Sequence, residues 1–317
     1  MLSRIPKSTL VPLAFASVYL FWGSTYAGIH IAGEHLSAPV VSAVRCCFAA
    51  AIIAGLSRAR GKSLRVVPGE FWRLALIGVL FMSANNMALT WAEQMVPSGF
   101  ASLVVSTMPI MIALMETVLP NGERLNRRGW AGTMLGVAGM CVLVWPSMHH
   151  EGALPSGSRP VLGVFVLLFA AFSFGVGSVL SRRFRFKTDT FVATGWQLGF
   201  AGVFNTVFAL SVGGFRHSIW TRSGIAAVAY LAVFGSLFGL VAFTYLLKNV
   251  AVTKIAPYAF VNPVIAVLIG ALLLHERLAP AEFAGMAIIV CGVAMVVFSR
   301  TVRSKREIVG TAGNAVE

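Results

Sequence analysis

Acidic residues are scarce in this sequence. Asp and Glu number 11 in 317 residues, and all charged residues together make up 11%. A soluble domain carries about a quarter charged residues, enough to cover a water-facing surface. The deficit excludes a soluble globular chain and a disordered one. Cysteine is equally sparse: Cys46, Cys47, Cys141 and Cys291 lie inside apolar runs, with no C-x-x-C spacing. Neither a disulfide framework nor a thiolate metal site is expected, and the four read as small buried hydrophobes. The six histidines, His149-His150 among them, are scattered. No metal and no cofactor is expected.

What the sequence has instead is hydrophobicity, with 57% apolar residues and a mean hydropathy of +0.82. A helix needs roughly 20 mostly apolar residues to cross about 30 Å of hydrocarbon. That rule predicts ten spans, at about 11–31, 38–57, 72–92, 98–119, 129–146, 161–180, 191–212, 224–247, 253–274 and 281–299. The connections are short and insert no soluble domain. The first run follows Arg4 and Lys7, as a signal peptide would, but it exceeds an h-region and lacks a small-residue cleavage site. It is expected to stay as a span. The fold class is therefore an all-α integral membrane protein of ten helices.

The 25 Lys and Arg give a net charge of +14, which in a soluble protein would suggest nucleic acid. Their positions give another cause. With a cytoplasmic N-terminus, 20 fall on the inner side and only Arg159, Arg216, Arg222 and Arg277 on the outer side, while Arg45 lies within the second span. Such asymmetry predicts both termini inside (N-in/C-in) and an even number of spans. The expected partners are the lipid bilayer of the plasma (inner) membrane, which the chain crosses repeatedly, a small-molecule substrate and protons. No nucleic acid is expected, and the assembly state is monomer or weak homo-oligomer.

Shifting the sequence by about 153 residues brings two stretches into register. Pro109 meets Pro263, Glu123-Arg124-Leu125 meets Glu276-Arg277-Leu278, Gly132 meets Gly285, and Gly139 meets Gly292. Trp22-Gly23 likewise meets Phe174-Gly175. Each repeat holds five spans, and an odd number makes the second copy enter from the opposite face. The expected organisation is an N-terminal segment 1–10, a first repeat 11–146, an external linker 147–160, a second, inverted repeat 161–299 and a basic tail 300–317. Inverted repeats point to secondary transporters with a site near the midplane.

The sequence also resembles the EamA branch of the drug/metabolite transporter superfamily over about residues 12–299. The likeness rests on WGSTY at 22–26, Arg45, VPSG at 96–99 with Pro109, and GERL at 122–125. In the second half it rests on VFGS at 233–236, YAFVNP at 258–263 and HERL at 275–278. It implies a ten-helix secondary carrier of small metabolites, often an exporter of amino acids or related compounds. A central cavity between the repeats is implied, with the fifth and tenth helices peripheral. Glu116 departs from the pattern, because that stretch is usually apolar or small in relatives.

Ionisable groups deep in a span cost about 2.5–3.5 kcal/mol on insertion scales, so they are candidate functional residues. Arg45, roughly 10 Å below the outer surface by helical rise, is expected to meet an anionic substrate group, to pair with a carboxylate such as Glu93, or to tie helices together. Glu93, closing span three, is a gating or interfacial candidate. Glu116 is a coupling candidate or sits at headgroup level near Arg124 or Lys62. Pro109 and Pro263, taken as mid-span kinks, are hinge candidates. The candidate substrate-binding set is Trp22, Ser24, Tyr26, Asn85, Asn86, Tyr258 and Asn262; each could equally serve interhelical hydrogen bonding. Thr25, Ser106, Thr107, Ser173, Ser178 and Ser236 share those depths. Most of the 35 aromatics are expected to face lipid or its interface.

Other readings fail on detail. GLSRARGKS at 55–63 has the wrong spacing for a P-loop and follows a membrane helix where a strand is required, so no ATP-driven pump is indicated. An intramembrane enzyme would need catalytic groups clustered at one depth, and a non-transporting sensor or receptor would not need an inverted repeat.

Overall fold

The computed structural model describes residues 7–96, 101, 104–148, 160–274, 280–299 and 301–303. The chain is an all-helical membrane protein of ten helices. They are α1 (Lys7–Gly33), α2 (Ala38–Ala59), α3 (Phe71–Ala92), α4 (Met108–Val118) and α5 (Arg127–Met148). Then come α6 (Pro160–Phe184), α7 (Thr190–Ser211), α8 (Arg222–Asn249), α9 (Tyr258–Leu274) and α10 (Pro280–Val297). Five of these, α1, α2, α3, α6 and α8, are long and apolar enough by themselves to cross a bilayer among the described residues. Helix is the form that lets an apolar segment satisfy its own backbone in lipid.

Caps fix several helix starts. Asp189 accepts from the N–H groups of Phe191 and Val192 at 3.0 and 3.3 Å to begin α7, a position where an acidic side chain suits the orphan amides. Thr221 accepts from Gly224 N–H at the start of α8. Pro39 sits in the first turn of α2, and Pro160 and Pro280 open α6 and α10. Pro12 does not open a helix: α1 begins at Lys7, ahead of the apolar run.

Two helices are not regular α throughout. Val79–Asn85 in α3 and Leu231–Gly239 in α8 are π-helical. The widened turn frees carbonyls from the helix's own ladder, and other helices use them. Ser173 of α6 donates to the Leu80 carbonyl at 3.1 Å, Asn205 of α7 to that of Met82 at 3.5 Å, and Trp22 of α1 to that of Gly235 at 2.9 Å.

Close helix approach rests on small residues. A Cβ built on Gly132 of α5 would lie 2.7 Å from the Gly292 carbonyl of α10, and one on Gly292 would lie 2.7 Å from the Gly132 carbonyl. A Cβ on Gly78 of α3 would collide with the Gln197 carbonyl of α7. Large side chains such as Phe165, Val207 and Leu210 stay exposed on the outside, where lipid would lie. Of the cysteines only Cys46 is buried; Cys47, Cys141 and Cys291 are exposed, because they fall on outward helix faces. One departure from pure helix occurs among the described residues. Glu123–Leu125 (β1) pairs antiparallel with Thr301–Arg303 (β2), Glu123 opposite Arg303, so the tail begins by closing on the loop before α5. The remainder of the tail, nearly all of 147–160 and residues 1–6 lie outside the described residues.

The loops between α2 and α3 and between α6 and α7 meet at one end of the bundle, here the basic end. Glu70 clamps them, accepting from Lys187 N–H at 2.7 Å, Thr188 N–H at 3.1 Å and Thr188 hydroxyl at 2.6 Å. Burial opposes its ionisation, but those hydrogen bonds and the nearby Arg73 charge outweigh it and hold the carboxyl below its ordinary range. A depressed folded-state pKa stabilises the fold above the unfolded value, and the contribution is lost as pH falls through the folded value. Thermal unfolding should therefore show the wild type losing stability below about pH 4.3, and Glu70→Gln losing less. Equal acid sensitivity of the two would contradict the clamp.

Candidate functional site

At the centre, five rings from five helices pack together, some edge to face and some tilted: Trp22 (α1), Phe81 (α3), Phe174 (α6), Phe243 (α8) and Tyr258 (α9). Trp22 lies 5.6 Å from Phe174, 4.9 Å from Phe243 and 4.9 Å from Tyr258, and Phe81 lies 4.6 Å from Phe174. Such pairs each contribute about 0.5–1.5 kcal/mol beyond area burial. Sequence reasoning missed Phe81, Phe174 and Phe243 as central. One signal was present: Trp22 aligns with Phe174 between the halves, and the two rings touch.

The candidate residues divide by what holds them. Trp22 spends its indole N–H on the Gly235 carbonyl, and Tyr258 directs its hydroxyl at Met108 Sδ, 3.7 Å away and buried. Ser24 bonds the Tyr230 hydroxyl of α8, while Thr25 bonds back to the Trp22 carbonyl. Asn262 is buried with its Oδ1 unpartnered, close to α1, since a Cβ on Gly23 would meet the Asn262 carbonyl at 3.1 Å. Asn85 is half-buried at the end of the π-helical turn of α3. Its neighbour Asn86 is the one joined to the charged centre. Ser178 bonds within its own helix, and Thr107, in the turn before α4, bonds back to the Val104 carbonyl.

That charged centre is Arg45. It is 2% exposed, with Nε donating to Ser236 of α8 at 3.0 Å and Nη1 to Asn86 Oδ1 of α3 at 2.9 Å. The expected pairing with Glu93 is not formed. Among the described residues no carboxylate lies within ion-pair distance of Arg45, because two neutral acceptors occupy its near side. Gly235 makes room for it: a Cβ there would lie 2.8 Å from Nη2. Glu93 follows the last turn of α3 with both carboxylate oxygens shielded and without a hydrogen-bond partner. The Tyr26 phenol lies within electrostatic range of both Glu93 and Tyr258.

Two expectations change. Glu116 is buried, but neither Arg124 nor Lys62 is its partner. Its Oε2 accepts from Glu123 N–H at 2.6 Å and pairs with Arg183 at 3.4 Å, which closes the 120–123 turn, while Arg124 reaches the Thr117 carbonyl and Lys62 pairs with Asp189. Pro109 is not a mid-helix kink: a turn at 106–107 precedes it, and it lies in the first turn of α4, where no N–H is missed. Of that pair, Pro263 is the one inside its helix. HERL at 275–278 lies outside the described residues.

The basic end holds a cavity of about 980 Å³ lined by Glu116, Glu123, Ser181, Arg182, Arg183 and Thr244, among others. Arg182 bridges across it to Glu123 at 3.1 Å, and Phe243, next to Thr244, belongs to the aromatic centre.

A polytopic helical bundle with interrupted helices, a polar centre and a vestibule at one end has the architecture of a membrane carrier. The EamA-like transporter family model matches residues 10–145 and again 161–298. The uncharacterized inner membrane transporter YedA of Escherichia coli is 32% identical over 294 residues, covering 92% of each chain. A probable terminal-alkyne amino-acid exporter of Streptantibioticus cattleyicolor is 27% identical, over 90% of this chain and 92% of its own. A solved crystal structure matches with a TM-score of 0.75 at 23% identity, covering 92% of this chain and 96% of its own, a likeness of fold. The chain belongs to the EamA-like transporter family, within the drug/metabolite transporter superfamily, and is a multi-pass membrane transporter, not an enzyme.

Proposed function

We infer that the chain carries small metabolites, amino acids or related compounds among them, out across the inner membrane by alternating access. Its two halves act as inverted five-helix repeats, with both termini cytoplasmic. The observation that carries this reading is Arg45: a buried cation without a counter-ion among the described residues, bridging α3 of one half to α8 of the other beside the aromatic centre. A charge kept at that depth is costly unless something anionic visits it. The rings of Trp22 and Tyr258, with Tyr26, Ser24 and the amides of Asn85, Asn86 and Asn262, offer apolar walls with few polar groups, as small-molecule sites do. Pro263 and the interruption ahead of Pro109 serve as hinges. Glu93 is the proton-binding candidate that retains free acceptors, and Glu116 serves structure. The exporter relative supports amino-acid-like cargo, and the basic-end cavity is read as a cytoplasmic vestibule. The working unit is a monomer or weak homo-oligomer.

A thermal-shift screen of purified protein across amino acids, sugars and nucleosides tests the cargo. A ligand at 100 times its Kd stabilises the folded state by about 2.7 kcal/mol. Amino acids are expected to raise the melting temperature. Stabilisation by sugars or nucleosides alone would overturn the amino-acid reading and leave the carrier assignment intact. For orientation, single cysteines at positions 60, 155 and 185, introduced after removal of the native four, should be labelled by an impermeant reagent in intact cells only at 155. Labelling at 60 or 185 would contradict the cytoplasmic placement of the basic end.

A further inference from the structure

We propose that Arg45 and Glu93 are the two poles of one site, the first holding a carboxylate and the second an ammonium of the same solute. The proposal rests on the reading of this chain as a carrier and assigns the charged contacts within it. Buried opposite charges on neighbouring helices ordinarily pair, because each alone is expensive in a low dielectric. Here they stay apart. Arg45 is fixed at the level of Asn86, and Glu93 lies seven residues further along the same helix. Seven residues are two turns, so Glu93 shares the Asn86 face at a rise of about 10 Å.

Each pole keeps its binding capacity free. Arg45 has five N–H donors, and Nε and Nη1 each serve one neutral acceptor. No hydrogen bond to Nη2 is made among the described residues, and the guanidinium fits there because residue 235 is Gly, where a Cβ would lie 2.8 Å from Nη2. Guanidinium and carboxylate then meet in charge-assisted bonds of about 2.7–2.9 Å. At the other end both Glu93 oxygens lack a donor, and an ammonium brings three. Tyr26 is in electrostatic range both of Glu93 and of Tyr258, and Tyr258 belongs to the aromatic centre, where the apolar part of the solute would rest. A solute without a carboxylate leaves Arg45 uncompensated, and one without an ammonium leaves Glu93 to a proton in its place. The chemistry selects a dipolar ion.

The test is binding to purified full-length protein of three probes of similar size: leucine, 3-methylbutylamine (no carboxylate) and 4-methylpentanoate (no ammonium). Leucine should bind at least tenfold more tightly than either. Glu93→Gln is isosteric, and should bring leucine down to the affinity of 4-methylpentanoate. Asn86→Asp supplies Arg45 with a permanent counter-ion without removing it, and should bring leucine down to the affinity of the amine. A folded Asn86→Asp and Glu93→Gln pair that both bind leucine as the wild type does would overturn the two-pole site while the amino-acid reading stood. Equal affinity for all three probes would overturn it as well. Binding of neutral sugars or nucleosides in place of leucine would remove the amino-acid reading itself.

Discussion

Arg45→Ala should reach the membrane, fold and lose transport by at least about a hundredfold. The magnitudes separate the two effects. Removing a mid-span Arg relieves an insertion cost of about 2.5–3.5 kcal/mol. It leaves Ser236 Oγ and Asn86 Oδ1 without their donor, a loss of about 1–3 kcal/mol for each group that stays unpaired. These offset one another in large part, so the fold should persist. Transport has no such compensation. A hydrogen bond to a charged group is worth about 1.5–3 kcal/mol, and about 2.7 kcal/mol corresponds to a hundredfold in rate. Solute flux into liposomes, measured beside the melting temperature, checks this; a folded variant with undiminished flux would remove Arg45 from the site.

Gly78→Leu should fail to accumulate as folded protein. A Cβ at 78 collides with the backbone carbonyl of Gln197, and neither main chain can rotate away as a side chain would. Overpacking costs about 1–3 kcal/mol where side chains can adjust, and more here, against a total stability of about 5–15 kcal/mol. α3 and α7 would separate and withdraw the Met82 carbonyl from Asn205. Gly199→Ala is the control, since a Cβ there meets nothing within 4 Å. It should be neutral or slightly stabilising, because Ala exceeds Gly in helix propensity by about 1 kcal/mol. Size-exclusion profiles of the two detergent-solubilised variants compare them directly; a monodisperse Gly78→Leu would contradict the packing.

The sequence shows the ten helices because lipid demands long apolar runs, and composition records them without knowledge of tertiary contacts. It also marks Arg45 and Glu93, since an ionisable residue in such a run is conspicuous. It conceals what they touch. Ser236 is 191 residues from Arg45, and nothing local distinguishes it from the serines that bond their own helix, such as Ser178. The π-helical turns in α3 and α8 contain no proline, and the glycines of the second do not mark which carbonyl is freed, so the carbonyls that Trp22, Ser173 and Asn205 use cannot be read from pattern. Phe81, Phe174 and Phe243 looked like any lipid-facing ring, because a helix that is apolar all round has no face to reveal. Glu116 shows the limit from the other side: the sequence marks a carboxylate near a span but not its partners, which are Glu123 N–H and Arg183 instead of Arg124 or Lys62.

Counterflow tests the carrier mechanism most directly. Liposomes holding the purified protein and an excess of unlabelled leucine inside, with a trace of labelled leucine outside, should take up label transiently above its equilibrium level. Liposomes without internal leucine, and liposomes with Arg45→Ala protein, should not. An alternating site gives this overshoot because unlabelled leucine occupies the inward-facing form and keeps entered label from leaving by it. Label that merely equilibrates at the same rate with and without internal leucine, in protein that still binds leucine, would contradict a carrier that alternates around this site.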